Sequence, residues 1–210
     1  MAIGRVIATV LFCAILPGAP GEEGFRQLFD GKTLRGWKQV DTKGQGYTVD
    51  DGLLVCAADC GGRILTEEEF TDFTLRFEYR LAPGGNNGVN IRAPYEGRPA
   101  YAGMEIQILD DSDPQYARLR PAQFHGSIYG VVPARRGALK PPGAWNGEEI
   151  RCEGRRVRVT LNGNVSVYID KADAGRRVGK VAHVDGLRNH VQVEGNVPDA
   201  ELRKIGRAHV

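Results

Sequence analysis

Hydrophobic and polar residues alternate along several stretches of the chain. Residues 74–81, 88–93 and 101–111 follow this pattern, which a β-strand produces when one of its faces packs on a core. Successive side chains in a strand leave on opposite faces, so each of these runs has one apolar face. We predict that the apolar faces form the core, with six side chains at its centre: Leu75, Phe77, Val89, Ile91, Ile106 and Ile108.

Turn signals separate the strand-like runs. Residues 50–52 (DDG) and 162–163 (NG) each stand between two such runs, and Asn-Gly in this position is the strongest short signal for a β-hairpin. Few stretches keep a helical period, and the runs recur about every eight to twelve residues. We therefore predict an all-β fold, a two-sheet antiparallel sandwich or jelly roll.

The strand predicted within residues 101–111 is the most informative, because its second face carries functional groups. Glu105 and Gln107 leave the same face about 7 Å apart, a spacing that follows from the rise per residue. Glu78, Asn90 and Arg92 occupy non-core positions of other runs. If these strands are neighbours, the polar rows form one patch on the concave face of a curved sheet. The alternative interpretation is an ordinary solvated face.

Length and net charge limit the kinds of protein that this chain can be. The chain has 210 residues, enough for one domain with a sizeable core, and its net charge is only +2. So small a charge gives no reason to expect binding to nucleic acid or to an anionic membrane. We therefore expect no nucleic-acid partner, and no membrane contact beyond an export signal.

The first residues have the pattern of that export signal. Arg5 precedes an apolar run over residues 6–16, and small residues and prolines follow. A run of this length is too short to span a bilayer as a helix. We expect residues 1–20 to be a signal peptide, and the mature protein to be extracytoplasmic, either periplasmic or secreted.

Three cysteines lie beyond the predicted signal: Cys56, Cys60 and Cys152. An odd number leaves at least one thiol unpaired. Cys56 and Cys60 either close a small disulfide loop in an oxidising compartment or remain buried thiols.

The last six residues, 205–210 (IGRAHV), read as the translation of a common sequencing adapter. We therefore expect the domain, which we assign to residues 24–204, to be truncated at its C terminus. Missing strands would leave a sheet edge uncovered.

Seven segments follow one another along the chain: 25–38 (FRQLFDGKTLRGWK), 51–55 (DGLLV), 70–92, 104–111 (MEIQILDD), 126–130 (GSIYG), 140–146 (KPPGAWN) and 159–167 (VTLNGNVSV). Together they resemble the 3-keto-disaccharide hydrolase domain family. The resemblance implies a fold of two curved antiparallel sheets, like that of concanavalin-type lectins and glucanases. It also implies a secreted or periplasmic bacterial protein that cleaves glycosides already oxidised to the ketone at sugar C3. Residues 188–204 do not match the strands that close the family's domain.

The implied chemistry needs a base near C2, because the ketone acidifies the hydrogen there. The leaving group at C1 then departs by elimination and water adds afterwards, which also calls for an acid and an enolate stabiliser. We predict Glu105 as the base, with His125 and Tyr129 transferring or stabilising protons. A surface-loop histidine is the alternative for His125. The predicted sugar-binding residues are Asn86, Asn90, Arg92, Gln107, Lys140 and Trp145.

Two further possibilities concern a metal ion and the stacking of a sugar ring. Glu105 and Asp110, with Asp111 beside them, carry oxygen ligands of the kind that a divalent cation prefers. A turn acid is the alternative for Asp111. Trp145 can stack on a sugar ring, although a tryptophan at the edge of the core is the alternative.

Two other functions remain open at this point. A non-catalytic carbohydrate-binding module on the same fold would use the same residue types in its groove. A conventional retaining glycosidase needs two carboxyl groups, and glucanases of this fold resemble E-x-D-x-E on one strand face. The matching positions here are Glu105, Gln107 and Leu109, so the second glutamate is absent.

Overall fold

The structure is a computed structural model, and it describes residues 24–57, 60–93 and 103–170 together with the backbone of 192–194. The predicted signal peptide and the adapter-like residues 205–210 lie outside the described residues. Two single-turn 3-10 helices, Pro114–Tyr116 and Pro121–Gln123, join the strands. No helix in the described ranges is long and apolar enough to cross a membrane. The strands are β1 (Phe25–Gln27), β2 (Trp37–Lys43), β3 (Tyr47–Asp50), β4 (Leu53–Cys56), β5 (Gly61–Thr66), β6 (Phe73–Arg80), β7 (Asn86–Ile91), β8 (Met104–Leu109), β9 (Trp145–Glu153), β10 (Arg156–Leu161), β11 (Asn164–Ile169) and β12 (Gln192–Glu194).

Six strands form one antiparallel sheet in the order β1-β12-β6-β9-β10-β11. The register of β6 and β9 sets Leu75 opposite Ile150, and both side chains are buried. The predicted hairpin at Asn162-Gly163 joins β10 to β11. Both of these residues have positive φ, 49° and 79°, as a type I′ turn requires. The hairpin predicted at residues 50–52 is also present, between β3 and β4.

The remaining strands form three antiparallel pairs, β2–β5, β3–β4 and β7–β8. The segment 126–129 extends the last pair, because it bonds to the free edge of β8. The amide of Gly126 donates to the carbonyl of Gln107 at 2.8 Å, and the amide of Tyr129 donates to the carbonyl of Glu105 at 2.8 Å. Strand β8 is therefore held along both edges, which makes it a rigid support for the side chains it carries.

The core lies between these strand pairs and the six-stranded sheet. One cluster of buried side chains joins β6, β9 and β10 to β7 and β8. All six side chains predicted for the centre of the core are at most 2 % exposed. Full burial of a large apolar side chain is worth about 1.5–3 kcal/mol, so this cluster dominates the stability of the fold. The prediction of an all-β antiparallel sandwich is confirmed.

Candidate active site

The face of β7–β8 that points away from the core is polar. In the register of the pair, Asn90 stands opposite Glu105 and Gly88 stands opposite Gln107. Directly opposite residues of an antiparallel pair share a face, so these positions form one surface. Asn86 continues the same face at the start of β7. The structure thus brings together four of the residues predicted for the site: Glu105, Gln107, Asn86 and Asn90.

Glu105 is the ionisable group at the centre of this face. It is half-buried, and burial raises the pKa of its carboxyl group. No charge or hydrogen bond from the described residues offsets that effect. A carboxyl group in such surroundings exchanges its proton closer to neutral pH than an exposed one does, which suits a general acid or base.

Residues with amide and phenol side chains occupy the strand positions next to Glu105. Gln107 is buried, and its Nε2 donates to Oδ1 of Asn86 at 3.3 Å. Tyr129 is the neighbour of Glu105 across the other edge of β8, and its hydroxyl accepts a hydrogen bond from Nε2 of Gln123 at 2.8 Å. Amides and phenols donate and accept hydrogen bonds without carrying charge, which matches the hydroxyl groups of a sugar.

His125 lies in the interior, away from this polar face. Its ring is 3 % exposed, so the alternative of a surface-loop histidine is wrong. Nδ1 accepts from the amide of Leu109 at 2.9 Å, and Nε2 lies 2.6 Å from the hydroxyl of Tyr79, a core residue of β6. Burial lowers the pKa of His125 to about 4, so the ring is neutral at pH 7 and carries its proton on Nε2. These surroundings give the predicted catalytic role no support.

Arg92 and Glu78 do not join the polar face either. The backbone of Arg92 is left-handed, with φ 53°, so the alternation of β7 ends before it. Its guanidinium bonds to the carbonyl of Gly154 and lies 3.8 Å from the carboxylate of Asp72. It therefore ties the end of β7 to the β9–β10 turn, and the expectation that it faces outward with Asn90 is wrong. Glu78 lies in β6, which belongs to the other sheet.

Lys140 and Trp145 also belong to the side of the six-stranded sheet. Lys140 is exposed in the loop before β9, where its backbone amide donates to Oδ1 of Asn146 at 3.0 Å. Trp145 begins β9 and packs against the edge of the core, with the guanidinium of Arg80 5.5 Å from its ring centre. This position fits the alternative of a core-edge tryptophan.

The predicted metal ligands are not brought together as a set. The carboxylate of Asp110 accepts from the amides of Gly84 at 2.9 Å and Ser112 at 3.0 Å. Burial works against ionisation of Asp110, but these bonds and the Ser112 hydroxyl outweigh it and lower the pKa. Asp111 holds the turn by accepting from the amide of His125 at 2.9 Å. Within the described residues, no group of three or more His, Cys, Asp or Glu side chains forms.

Sequence reasoning missed two residues that shape the site, Gly88 and Gln123. Gly88 stands beside the carboxylate of Glu105, and a glycine inside a strand is a recognised signal of such a close approach. Gln123 holds Tyr129 from a 3-10 turn six residues earlier in the chain. No periodic pattern marks a contact of that kind, so only the structure reveals it.

Comparison with known proteins identifies the family. The profile of a family described as the 3-keto-alpha-glucoside-1,2-lyase-like domain matches residues 24–205. The chain belongs to this family. The resemblance found in the sequence is thereby confirmed. Within this 3-keto-alpha-glucoside-1,2-lyase-like domain, the match includes β7, β8 and the segment 126–129, the three parts that build the polar face.

Relatives of this domain include a curated protein and several solved structures. A protein of Bacteroides thetaiotaomicron named 3-keto-disaccharide hydrolase is 28 % identical in an alignment of 151 residues, and the match covers 61 % of this chain and 52 % of that protein. The chain thus spans about half the length of this relative.

Two solved structures show that the fold is shared. One is a Parabacteroides distasonis protein assigned to the glycosyl hydrolases, with a TM-score of 0.69 at 22 % identity, covering 83 % of this chain and 95 % of that one. The other is a non-specific endo-β-1,3(4)-glucanase of family GH16, with a TM-score of 0.52 at 13 % identity, covering 92 % of this chain and 87 % of that one. At these identities the likeness concerns the fold alone.

Proposed function

We propose that this protein is a carbohydrate-active hydrolase that cleaves the glycosidic bond of 3-keto-disaccharides or related 3-keto-glycosides. Its substrate would be a small sugar. The family match and the name of the Bacteroides thetaiotaomicron relative support this proposal. The observation that carries it is Glu105, a half-buried carboxyl group of raised pKa on a face lined with amides.

In the proposed reaction Glu105 removes the proton from C2 of the keto sugar. The electron pair of that C–H bond forms an enolate, whose negative charge resides on the oxygen at C3. When the ketone re-forms, a C1–C2 double bond appears, the C1–O bond breaks, and the leaving oxygen takes up a proton. Water then adds at C1 and a proton returns to C2, so the net change is hydrolysis. Gln107 and Tyr129, whose side chains can donate hydrogen bonds, would stabilise the enolate oxygen.

A conventional retaining mechanism fits this site poorly. It requires a second carboxyl group about 5–5.5 Å from the first. Leu109 occupies the position two residues beyond Gln107 on β8, and its side chain is fully buried. A non-catalytic binding module remains the second candidate, since it would use the same polar face. Such a module has no need of a carboxyl group whose pKa burial has raised, and this favours an enzyme.

The test compares a 3-keto-disaccharide with its unoxidised parent, each with and without a chelator. The proposal expects cleavage of the keto sugar alone, with solvent deuterium appearing at C2 during turnover. Equal cleavage of the parent sugar would reject the elimination route. Binding of both sugars without cleavage would establish the binding module instead. Loss of activity with chelator, restored by a divalent cation, would bring back the predicted metal site.

We also propose that the protein is exported and that residues 1–20 are removed. The motivation is Arg5 followed by a short apolar run. Mass spectrometry of the protein from its own cells tests this, because export predicts a mature N terminus close to residue 20. An intact N terminus on protein from the cytoplasm would contradict it.

A further inference from the structure

Gly88 lies directly beneath the carboxyl group of Glu105. A Cβ atom built at Gly88 would stand 2.7 Å from Cγ and 2.9 Å from Cδ of Glu105, and closer still to one carboxylate oxygen. Side-chain atoms do not pack at such distances. The two residues are diagonal neighbours in the β7–β8 register, because Gly88 pairs with Gln107 and Asn90 pairs with Glu105. Glu105 thus occupies the space that a side chain at position 88 would fill.

The backbone of Gly88 does not itself require glycine. Its φ lies outside the left-handed region, in contrast to glycines such as Gly84 and Gly126. An alanine therefore suits this strand conformation. The contact with Glu105 is what a Cβ would disturb. The clashing atoms belong to the end of a flexible side chain, so Glu105 would move and the strands would stay.

We propose that Gly88 is a positioning residue. Its missing side chain allows the Glu105 carboxyl group to pack against the backbone of β7, next to the positions of Asn90 and Gln107. Its catalytic consequence rests on the function proposed above. In this position Glu105 is shielded on one side by the backbone of β7. A side chain at position 88 would force the carboxyl group out of this position.

Two effects follow from that displacement. A general base moved by about 1 Å loses up to about 100-fold in rate, because proton transfer depends on geometry. The displaced carboxyl group would also regain water, so its pKa would fall toward that of an exposed carboxyl group. Among the described neighbours of Glu105, which are Asn90 and Gln107 beside it and Tyr129 across the edge of β8, only Tyr129 carries an ionisable group.

The experiment uses Gly88→Ala, with Gly147→Ala as the matched control. Gly147 also lies inside a strand, without positive φ, and no atom stands within 4 Å of a Cβ built there. We expect Gly88→Ala to lower kcat about 10- to 100-fold. The acidic limb of its pH–rate profile should shift to lower pH. Gly147→Ala should change neither kcat nor the pH–rate profile. In a Glu105→Gln background, Gly88→Ala should cause no further loss of rate.

A direct measurement separates this inference from the proposed function. NMR of carboxyl-labelled glutamate, with Glu105→Gln to assign the signal, gives the pKa of Glu105 with or without activity. A lower pKa in Gly88→Ala supports the positioning role, even if Glu105→Gln proves fully active and the proposed mechanism fails. An unchanged pKa together with an unchanged rate would overturn the positioning role.

Discussion

Two polar faces of this molecule have similar alternation in the sequence. They differ in whether charged side chains are paired with opposite charges. The outer face of the six-stranded sheet pairs its charges. Arg76 on β6 bonds to the carboxylate of Glu149 on β9 at 2.7 Å, and Arg151 bonds to Glu153 on the same strand. These pairs are accessible to water, so each contributes only about 0–1 kcal/mol.

In the part of the chain that the structure describes, the outward face of β7–β8 contains uncharged donors and acceptors around one carboxyl group. The nearest side chains to Glu105 in the register are those of Asn90 and Gln107, and neither can neutralise it. Burial then raises the pKa of Glu105, and no cation among the described residues opposes that effect. A strand that alternates polar with apolar residues can thus carry either a solvated surface or a site. The presence of opposite charges and the depth of burial tell the two apart.

The largest expected effect comes from removing the charge of Glu105. Glu105→Gln keeps the shape of the side chain, so we expect activity on the 3-keto-disaccharide to fall by two to four powers of ten, about the contribution of a general base. Steady-state kinetics and circular dichroism measure the rate and the fold. The matched control is Glu149→Gln, whose carboxylate is already paired with Arg76. If both variants lose the same activity, the contrast between the two faces has no catalytic meaning.

The next largest effect concerns the stability of the fold and its dependence on the protonation of His125. The pKa of His125 is about 4 in the folded protein and about 6.5 when unfolded, so the unfolded chain binds the proton first as pH falls. The free energy of unfolding should therefore decrease by about 3 kcal/mol between pH 6.5 and pH 4, and be insensitive to this group above pH 6.5. Urea unfolding at several pH values measures this decrease.

His125→Asn separates this contribution from those of other groups. The variant is less stable at pH 7 because it loses hydrogen bonds, but it should lose less stability on acidification than the parent. Equal slopes for the two proteins between pH 6.5 and pH 4 would show that His125 does not titrate as its burial demands.

A smaller effect is expected at the end of the six-stranded sheet. Gly163 has φ 79° in the turn between β10 and β11, so Gly163→Ala forces a Cβ into the left-handed region at a cost of about 1–2 kcal/mol. Thermal unfolding should show the loss, and kcat on the keto sugar should stay at the parent value. A large fall in kcat would mean that this hairpin and the β7–β8 face are coupled.

The smallest effect is expected from Glu149→Gln on stability. Both partners of the Arg76–Glu149 pair are about one-third exposed, so solvent screens the pair and its loss should cost less than about 1 kcal/mol. Urea unfolding at low and at high salt measures it, and the difference from the parent should shrink further at high salt. A loss of several kcal/mol would show that this outer face is not merely a solvated surface.

Features that depend on local pattern could be predicted from the sequence. The alternation in β6 and β8 placed Phe77 and Ile106 in the core, because the side-chain period of a strand is two wherever the strand lies. The turn at Asn162-Gly163 was predictable for a similar reason, since a tight turn depends on its own residues.

Features that depend on which strands become neighbours could not be predicted. The burial of His125 against Tyr79 joins residues that are 46 positions apart. The left-handed backbone of Arg92 breaks a pattern that its sequence continues. The contact between Gly88 and Glu105 follows from the register of β7 on β8, and a shift of that register would remove it.

The buried thiol of Cys152 offers a way to measure how often the folded protein opens. This side chain is fully enclosed in β9, and burial raises its pKa to about 12, so the reactive thiolate is almost absent from the folded state. An alkylating reagent can reach it only when the core around it opens. In a variant whose other cysteines are serines, the rate of labelling would therefore report the rate at which the structure around the six-stranded sheet opens. Added sugar would lower the rate of labelling only if it binds the folded protein.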